Sequence, residues 1–218
     1  MRKIVSETVG ILTQDNQFED WWISDPISIP FLENKTMTIT FADFNPDDDV
    51  NFITESDKAI KSFLNKKSED RLELSELAYE NCMKFLSVVP YDKADEPLWK
   101  IKTKADIWNF IYPTDIYISR RHRRDKDIYI NIACECEWEQ EHGLQFIFRR
   151  GEFLVRVSAQ DGHLTEADAY DKDDSQDKLL IKSNNINEYS KAVEVSSRPI
   201  KNNNWWRRIC IKILKNNN

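Results

Sequence analysis

IYINIACECEWEQEHGLQFIFRRGEFLVRVS (128–158) contains two apolar alternations separated by turns. In its first part, Ile128, Ile130, Ile132, Cys134, Cys136 and Trp138 share one parity. Tyr129, Asn131, Ala133, Glu135, Glu137 and Glu139 share the other. Successive strand side chains point to opposite faces, so a period of two over eleven residues predicts a half-buried strand. The two cysteines fall on the isoleucine parity and therefore read as small core residues, the usual place of a free cysteine. A zinc site would need a further Cys or His pair at ligand spacing, and the chain has no CxxC. Residues 144–158 read as a hairpin turning at Arg150-Gly151, and Asp161-Gly162 marks a further turn. Three of the chain's four glycines, Gly143, Gly151 and Gly162, lie between these strand patterns, where positive φ is often needed.

Working outward, DIYIS (115–119) is the preceding strand, which places a sheet over 115–165. Upstream, ISIPFLENKTMTITF (27–41) predicts a hairpin. Met37, Ile39 and Phe41 alternate with threonines, and Glu33-Asn34-Lys35 supplies the turn. Between these regions the spacing becomes helical. Thr54 to Asp57 reads as a capping box before Ala59, Ile60, Phe63 and Leu64. Ser68 opens a second helix carrying Leu74, Leu77, Ala78, Cys82, Phe85 and Leu86, stopped by Pro90. Thr103 to Asp106 caps a short third helix carrying Ile107, Trp108 and Ile111, ended by Pro113. The expected class is α+β: a mainly antiparallel sheet, built from an N-terminal hairpin plus a meander over 115–165, packed with two or three helices. The expected organisation is a single domain over 1–198 and a basic tail over 199–218.

The 218 residues are 40% hydrophobic and 11% aromatic, rich enough to bury a core. Net charge is −7, unevenly spread. Lys201, Arg207, Arg208, Lys212 and Lys215 give residues 199–218 a charge of +5 with no acid, leaving −12 for residues 1–198. An acidic body repels nucleic acid and attracts basic partners. No stretch approaches 18 consecutive apolar residues, so no transmembrane segment is expected. The opening MRKIVSETVGILTQDN lacks a signal-peptide pattern. Cys134 and Cys136, about 6.6 Å apart along an extended strand, suit a reducing compartment, the cytoplasm.

Several features invite chemistry. Glu135, Glu137 and Glu139 form a like-charged row, which costs stability unless compensated. Pairing to the arginines of the preceding loop or across strands to Arg149, Arg150 or Arg156, a surface for a basic partner, and a catalytic carboxylate cluster are the three readings. Glu141-His142 and Asp161-Gly162-His163 flank the hairpin and place a His–carboxylate set at one end of the sheet, conceivable as a metal site. RRHRRDK (120–126) reads as a loop solvated or paired to nearby acids, with a phosphate grip as the alternative. The acidic run over 165–178 reads as a solvated loop, since it lacks the EF-hand glycine and terminal glutamate. Trp205, Trp206, Arg207 and Arg208 head a basic apolar tail. Its readings are docking on the chain's own acidic body or contact with a membrane surface or nucleic acid. There is no GxSxG, HExxH, Walker loop or GxGxxG, and no cofactor is implied.

The run WEQEHGLQFIFRRGEFLVRVSAQDGHL (138–164) resembles an uncharacterised bacterial domain family of unknown function. Its members carry a W-E-x-E-H-G-L segment, an F-R-x-G turn and a closing D-G-H-L. The resemblance extends more loosely back to the 27–41 hairpin and leaves the tail from about 180 outside. It marks Trp138, Glu139, Glu141, His142, Gly143, Arg150, Gly151, Asp161, Gly162 and His163. The association of some members with toxin–immunity loci implies an interaction role, an immunity-type inhibitor that binds a basic toxin through an acidic surface. The alternatives are a metal-dependent or hydrolytic enzyme using the Glu/His cluster at 139–142 and 161–163, and an adaptor acting through the basic tail.

Overall fold

A computed structural model describes residues 3–185. The tail residues Trp205, Trp206, Arg207 and Arg208, and the division expected at 198/199, lie outside the described residues. The chain begins with β1 (Ile4–Ser6), β2 (Gly10–Gln14) and β3 (Trp22–Ser24). Each is too short for a visible alternation, yet each buries one parity: Ile4 and Ser6, Leu12, then Trp22 and Ser24. β4 (Ile27–Ile29) and β5 (Lys35–Met37) form the expected hairpin as a separate two-stranded sheet. Pro30 sits in its turn, where Glu33 and Asn34 both take positive φ. The alternation then breaks, and β6 (Thr40–Phe41) enters the main sheet.

α1 (Phe52–Leu64) starts two residues before Thr54, so the Thr54–Asp57 segment does not cap it. Asp57 lies inside the helix and is 4% exposed. Its carboxylate accepts from Ser6 Oγ and from the N–H groups of Glu7 (3.0 Å) and Thr8 (3.1 Å). Three donors of the β1–β2 turn outbid the helix terminus for this side chain. α2 (Arg71–Leu86) buries Leu74, Ala78, Cys82 and Leu86, the expected stripe. After the one-turn α3 (Glu96–Trp99), the Thr103/Asp106 box caps a 3₁₀ segment, Lys104–Phe110, in place of the expected α-helix. Ile111 and Pro113 already belong to the next strand, β7 (Ile111–Arg120). The proline is tolerated there because the register slips between Pro113 and Asp115, freeing the strand from one ladder bond.

β8 (Ile128–Cys136), β9 (Leu144–Arg149) and β10 (Phe153–Ser158) complete the meander. α4 (Glu166–Ala169) and α5 (Lys178–Asn184) follow. The main sheet runs β1-β2-β3-β6-β7-β8-β9-β10, antiparallel except for the β6–β7 pair. A parallel pair needs a crossover, and the chain from α1 to the 3₁₀ segment supplies it. The class is α+β, as the sequence predicts.

The inner face packs on the helices. Phe31, Phe63, Phe146, Phe148 and Trp108 form its aromatic centre, with ring centroids 4.9–6.1 Å apart. Cys82, Cys134 and Cys136 are buried and unpaired in the same core. Burial pushes all three thiols up, Cys136 to about 11. The outer face departs from the half-buried expectation. Tyr129, Ile147, Phe153, Val155 and Leu180 form a second core, with Leu164 against it. The C-terminal segment therefore covers β8–β10 from outside.

The hairpin turn at Arg150-Gly151 has positive φ at both residues, and Glu152 N–H bonds to Arg149 C=O at 3.1 Å, the geometry of a type I′ turn. α1 packs so closely here that a Cβ on Gly151 would overlap the backbone carbonyl of Ala59. Gly162 also has positive φ but nothing within 4 Å of its Cβ position. Gly151→Ala should therefore cost more than about 3 kcal/mol, and Gly162→Ala only the left-handed penalty of about 1–2 kcal/mol. Urea unfolding of the two variants measures the difference; equal losses would contradict the close helix–turn contact.

Candidate functional site

The segment expected to carry function folds around two fixed points. Trp138 is 3% exposed, and its Nε1 donates to Asn81 Oδ1 on α2 at 3.1 Å. It is an anchor in the core, unavailable to a partner. Gly143, at φ +65°, closes the turn; a Cβ there would meet Cys134 C=O. Between them Glu139 folds back. Its Oε1 accepts from the N–H groups of Glu141 and His142, both at 3.2 Å, and lies 3.5 Å from His142 Nδ1. Glu139 therefore shapes the β8–β9 turn, and Glu141 and His142 stand exposed at its tip.

The second motif is also architectural at its acid. Asp161 takes both terminal nitrogens of Arg156 at 2.6 Å, and accepts from Gln145 Nε2 and His163 N–H. Arg156 is 2% exposed and also donates to His163 C=O at 2.7 Å. Burial opposes ionisation of Asp161, but the Arg156 hydrogen bonds outweigh it and hold the carboxyl below its usual range. His163 remains exposed on the surface of this turn.

The register pairs Ser158 with Gln145, so the β8–β9 turn and the 159–163 turn share one end of the sheet, as expected of the two histidines. Among the described residues, however, no group of three His, Cys, Asp or Glu side chains is placed to hold a metal ion. Arg150 is not part of this end. It follows the last residue of β9, about 20 Å along a six-residue strand, and pairs with Asp127 at 2.8 Å.

The glutamate row divides. Glu139 is occupied by its turn, whereas Glu135 and Glu137 are exposed on the outer face. The cross-strand compensation expected from arginines is absent. Arg149 pairs with Asp127 at 2.6 Å, Arg150 with Asp127, and Arg156 with Asp161. These cations are taken by Asp127 of the β7–β8 loop and by Asp161 of the 159–163 turn. Among the described residues, no salt bridge reaches Glu135 or Glu137. Glu137 instead accepts from Tyr112 Oη at 2.5 Å, and that hydrogen bond pushes the phenol's pKa up. Tyr112, opposite Glu135 in register, is 46% exposed. The result is an outward patch of carboxylates with one aromatic ring.

Arg121 carries the pairing to nearby acids expected of the basic loop, though the sequence did not single it out. Within the basic loop, it is 4% exposed. It bonds Asp168 at 2.8 Å and Asp174 at 2.7 Å, meets Asp125 at 3.0 Å, and donates to Thr165 Oγ1. Arg124 joins the same acids. The acidic run is thus clamped to the loop and is no free solvated segment. The signal was present in the sequence as matched charge runs at 120–126 and 165–178.

Asp161→Asn should lower stability by about 1–2 kcal/mol at neutral pH, a figure discounted because the Asp161 side chain is 39% exposed. A depressed folded pKa contributes stability above the unfolded carboxyl value, lost as pH falls through the folded one. The gap between wild type and variant should therefore close below about pH 4. Thermal melts from pH 7 to pH 3 check this; a gap constant with pH would remove the ion pair as its cause.

Among the described residues, no helix is long and apolar enough to cross a membrane. Comparison with curated proteins and with solved structures finds no match. One family model does match, over residues 8–164, spanning β2 to β10 and stopping just before the clamped segment that carries Asp168 and Asp174. The chain belongs to that family, a domain of unknown function (DUF6985).

Proposed function

We propose that the protein is an interaction module that receives a basic protein partner at the outer end of β7 and β8. In its most specific form it is an immunity-type inhibitor that occludes a basic toxin in the cytoplasm. The observation that carries this reading is the unmatched charge at Glu135 and Glu137. The arginines of the neighbouring strands are already paired with aspartates, so among the described residues these two carboxylates meet no cation of the chain. Tyr112 beside them supplies the amphipathic ring that protein interfaces favour. Glu141 and His142 extend the patch onto the adjacent turn, and His163 lies at the same end. The acidic body accelerates encounter with a cationic partner, and that attraction weakens with salt.

The test is affinity capture at low salt from the native host, followed by titration of the isolated partner. Reversing Glu135 and Glu137 to lysine should weaken binding by at least about tenfold. Reversing the exposed Glu69, which precedes α2, should leave it within about twofold. Equal losses at both places would reduce the effect to net charge, and no loss at Glu135 and Glu137 would remove this surface from the interface.

A further inference from the structure

The outer face of the main sheet is covered where the 164–184 segment crosses β8–β10, and it is half-buried to exposed over β1, β2, β3, β6 and β7. Register places Thr13, Ile23, Thr40, Tyr117 and Asn131 in one row across five strands. The same row continues to Ile147, fully buried in the second core. One line of side chains therefore passes from solvent to interior. On the bare side, the cross-strand pair Val5 and Ile11 is 62% and 52% exposed. Phe18, 48% exposed, packs on Trp21 at 4.6 Å, and Trp21 meets Tyr117 edge-on at 5.7 Å. At the boundary, the buried Asn131 Oδ1 has no hydrogen-bond donor, an unmet demand in a folded protein. Acids stand at both ends of this face: Asp15, Glu19 and Asp20 in the β2–β3 turn, and Asp115 on β7.

We propose that this bare face is the docking surface of the chain's own C-terminal segment, residues 199–218. Three arguments select that occupant. Charge is complementary, +5 for the segment against −12 for the rest. Composition is complementary too, since Trp205, Trp206, Ile209, Ile211, Ile213 and Leu214 offer apolar surface to the Val5, Ile11, Trp21 and Tyr117 face. Reach is sufficient. α5 ends at Asn184 on this same side of the sheet, and 24 residues lie between Asn185 and Cys210. The chain between them can reach at most about 80 Å, against a sheet about 34 Å across eight strands. Docking extends the second core across the strands that the 164–184 segment leaves open. It goes beyond the partner surface at Glu135 and Glu137 and is tested without any partner.

Cys210 is a native reporter. The other three thiols are buried, and burial raises their pKa values, which keeps them out of disulfide exchange. Thiols are introduced singly in the full chain by Ile11→Cys or Thr13→Cys on the bare face, and by Val88→Cys, a 77% exposed position just beyond α2, as the control. Mild oxidation at low protein concentration is followed by non-reducing peptide mapping. The expected result is an intramolecular bond from position 11 or 13 to Cys210, formed at least about tenfold faster than from position 88. Reversing Arg207 and Arg208 to glutamate should slow it by about fivefold or more. Equal rates at the three positions, or bonds only to the control, overturn the proposal. Bonds formed only between chains also overturn it and assign the face to a second copy.

Discussion

A guanidinium leaves water only when anions meet it, and Arg121 sits 4% exposed at the end of β7. Its anions, Asp168 and Asp174, arrive from more than forty residues downstream. That requirement holds the C-terminal segment against the outer side of β8–β10. Once held there, the segment brings Leu180 onto Tyr129, Ile147, Phe153 and Val155, and this part of the sheet becomes buried on both faces. Burial opposes the charge on Arg121, yet the carboxylates hold it protonated beyond its ordinary range. Such a pair is weak evidence of net stability, but removing the carboxylates would leave the buried guanidinium uncompensated, at a cost of about 3–5 kcal/mol. Tyr129, Arg149 and Ser183 extend the same polar layer, so the second core is fastened by hydrogen bonds along its rim.

Much of the sheet was legible in the sequence because its longest strand alternates over eleven residues, and no helix produces that pattern. The hairpin at 27–37, the α2 stripe and the Thr103/Asp106 box were legible for similar local reasons. What stayed hidden depends on distant contacts. Residues 4–24 form three strands of three to five residues, too short to carry a period. Asp57 looked like a cap because the capping pattern is local, while its partners lie fifty residues away. Tyr129 and Ala133 looked solvent-facing because only the fold brings the 164–184 segment over them.

The candidate site shows the same limit. Turn residues recur in motifs for folding reasons as readily as for chemistry. Trp138, Glu139, Gly143 and Asp161 proved to be an anchor, a turn brace, a left-handed hinge and a clamp. Arg150 belongs to the opposite end of β9, a separation fixed by strand direction and invisible in a 27-residue run. Glu135, Glu141, His142 and His163 stand exposed, and Glu137 is held on the surface by Tyr112.

The parallel joint between β6 and β7 is only two residue pairs long, Thr40 with Tyr117 and Phe41 with Ile118. β3 meets β6 through two pairs as well. The eight-stranded sheet is therefore two antiparallel blocks stitched by a seam a few ångströms deep. The meander of β7–β10 closes through short loops and low loop-closure entropy, whereas the N-terminal block must wait for a crossover of some seventy residues to be wound before its seam can form. Topology therefore favours early condensation of the meander, and it makes the two-pair seam the weakest joint by which β1, β2, β3 and β6 are held to it.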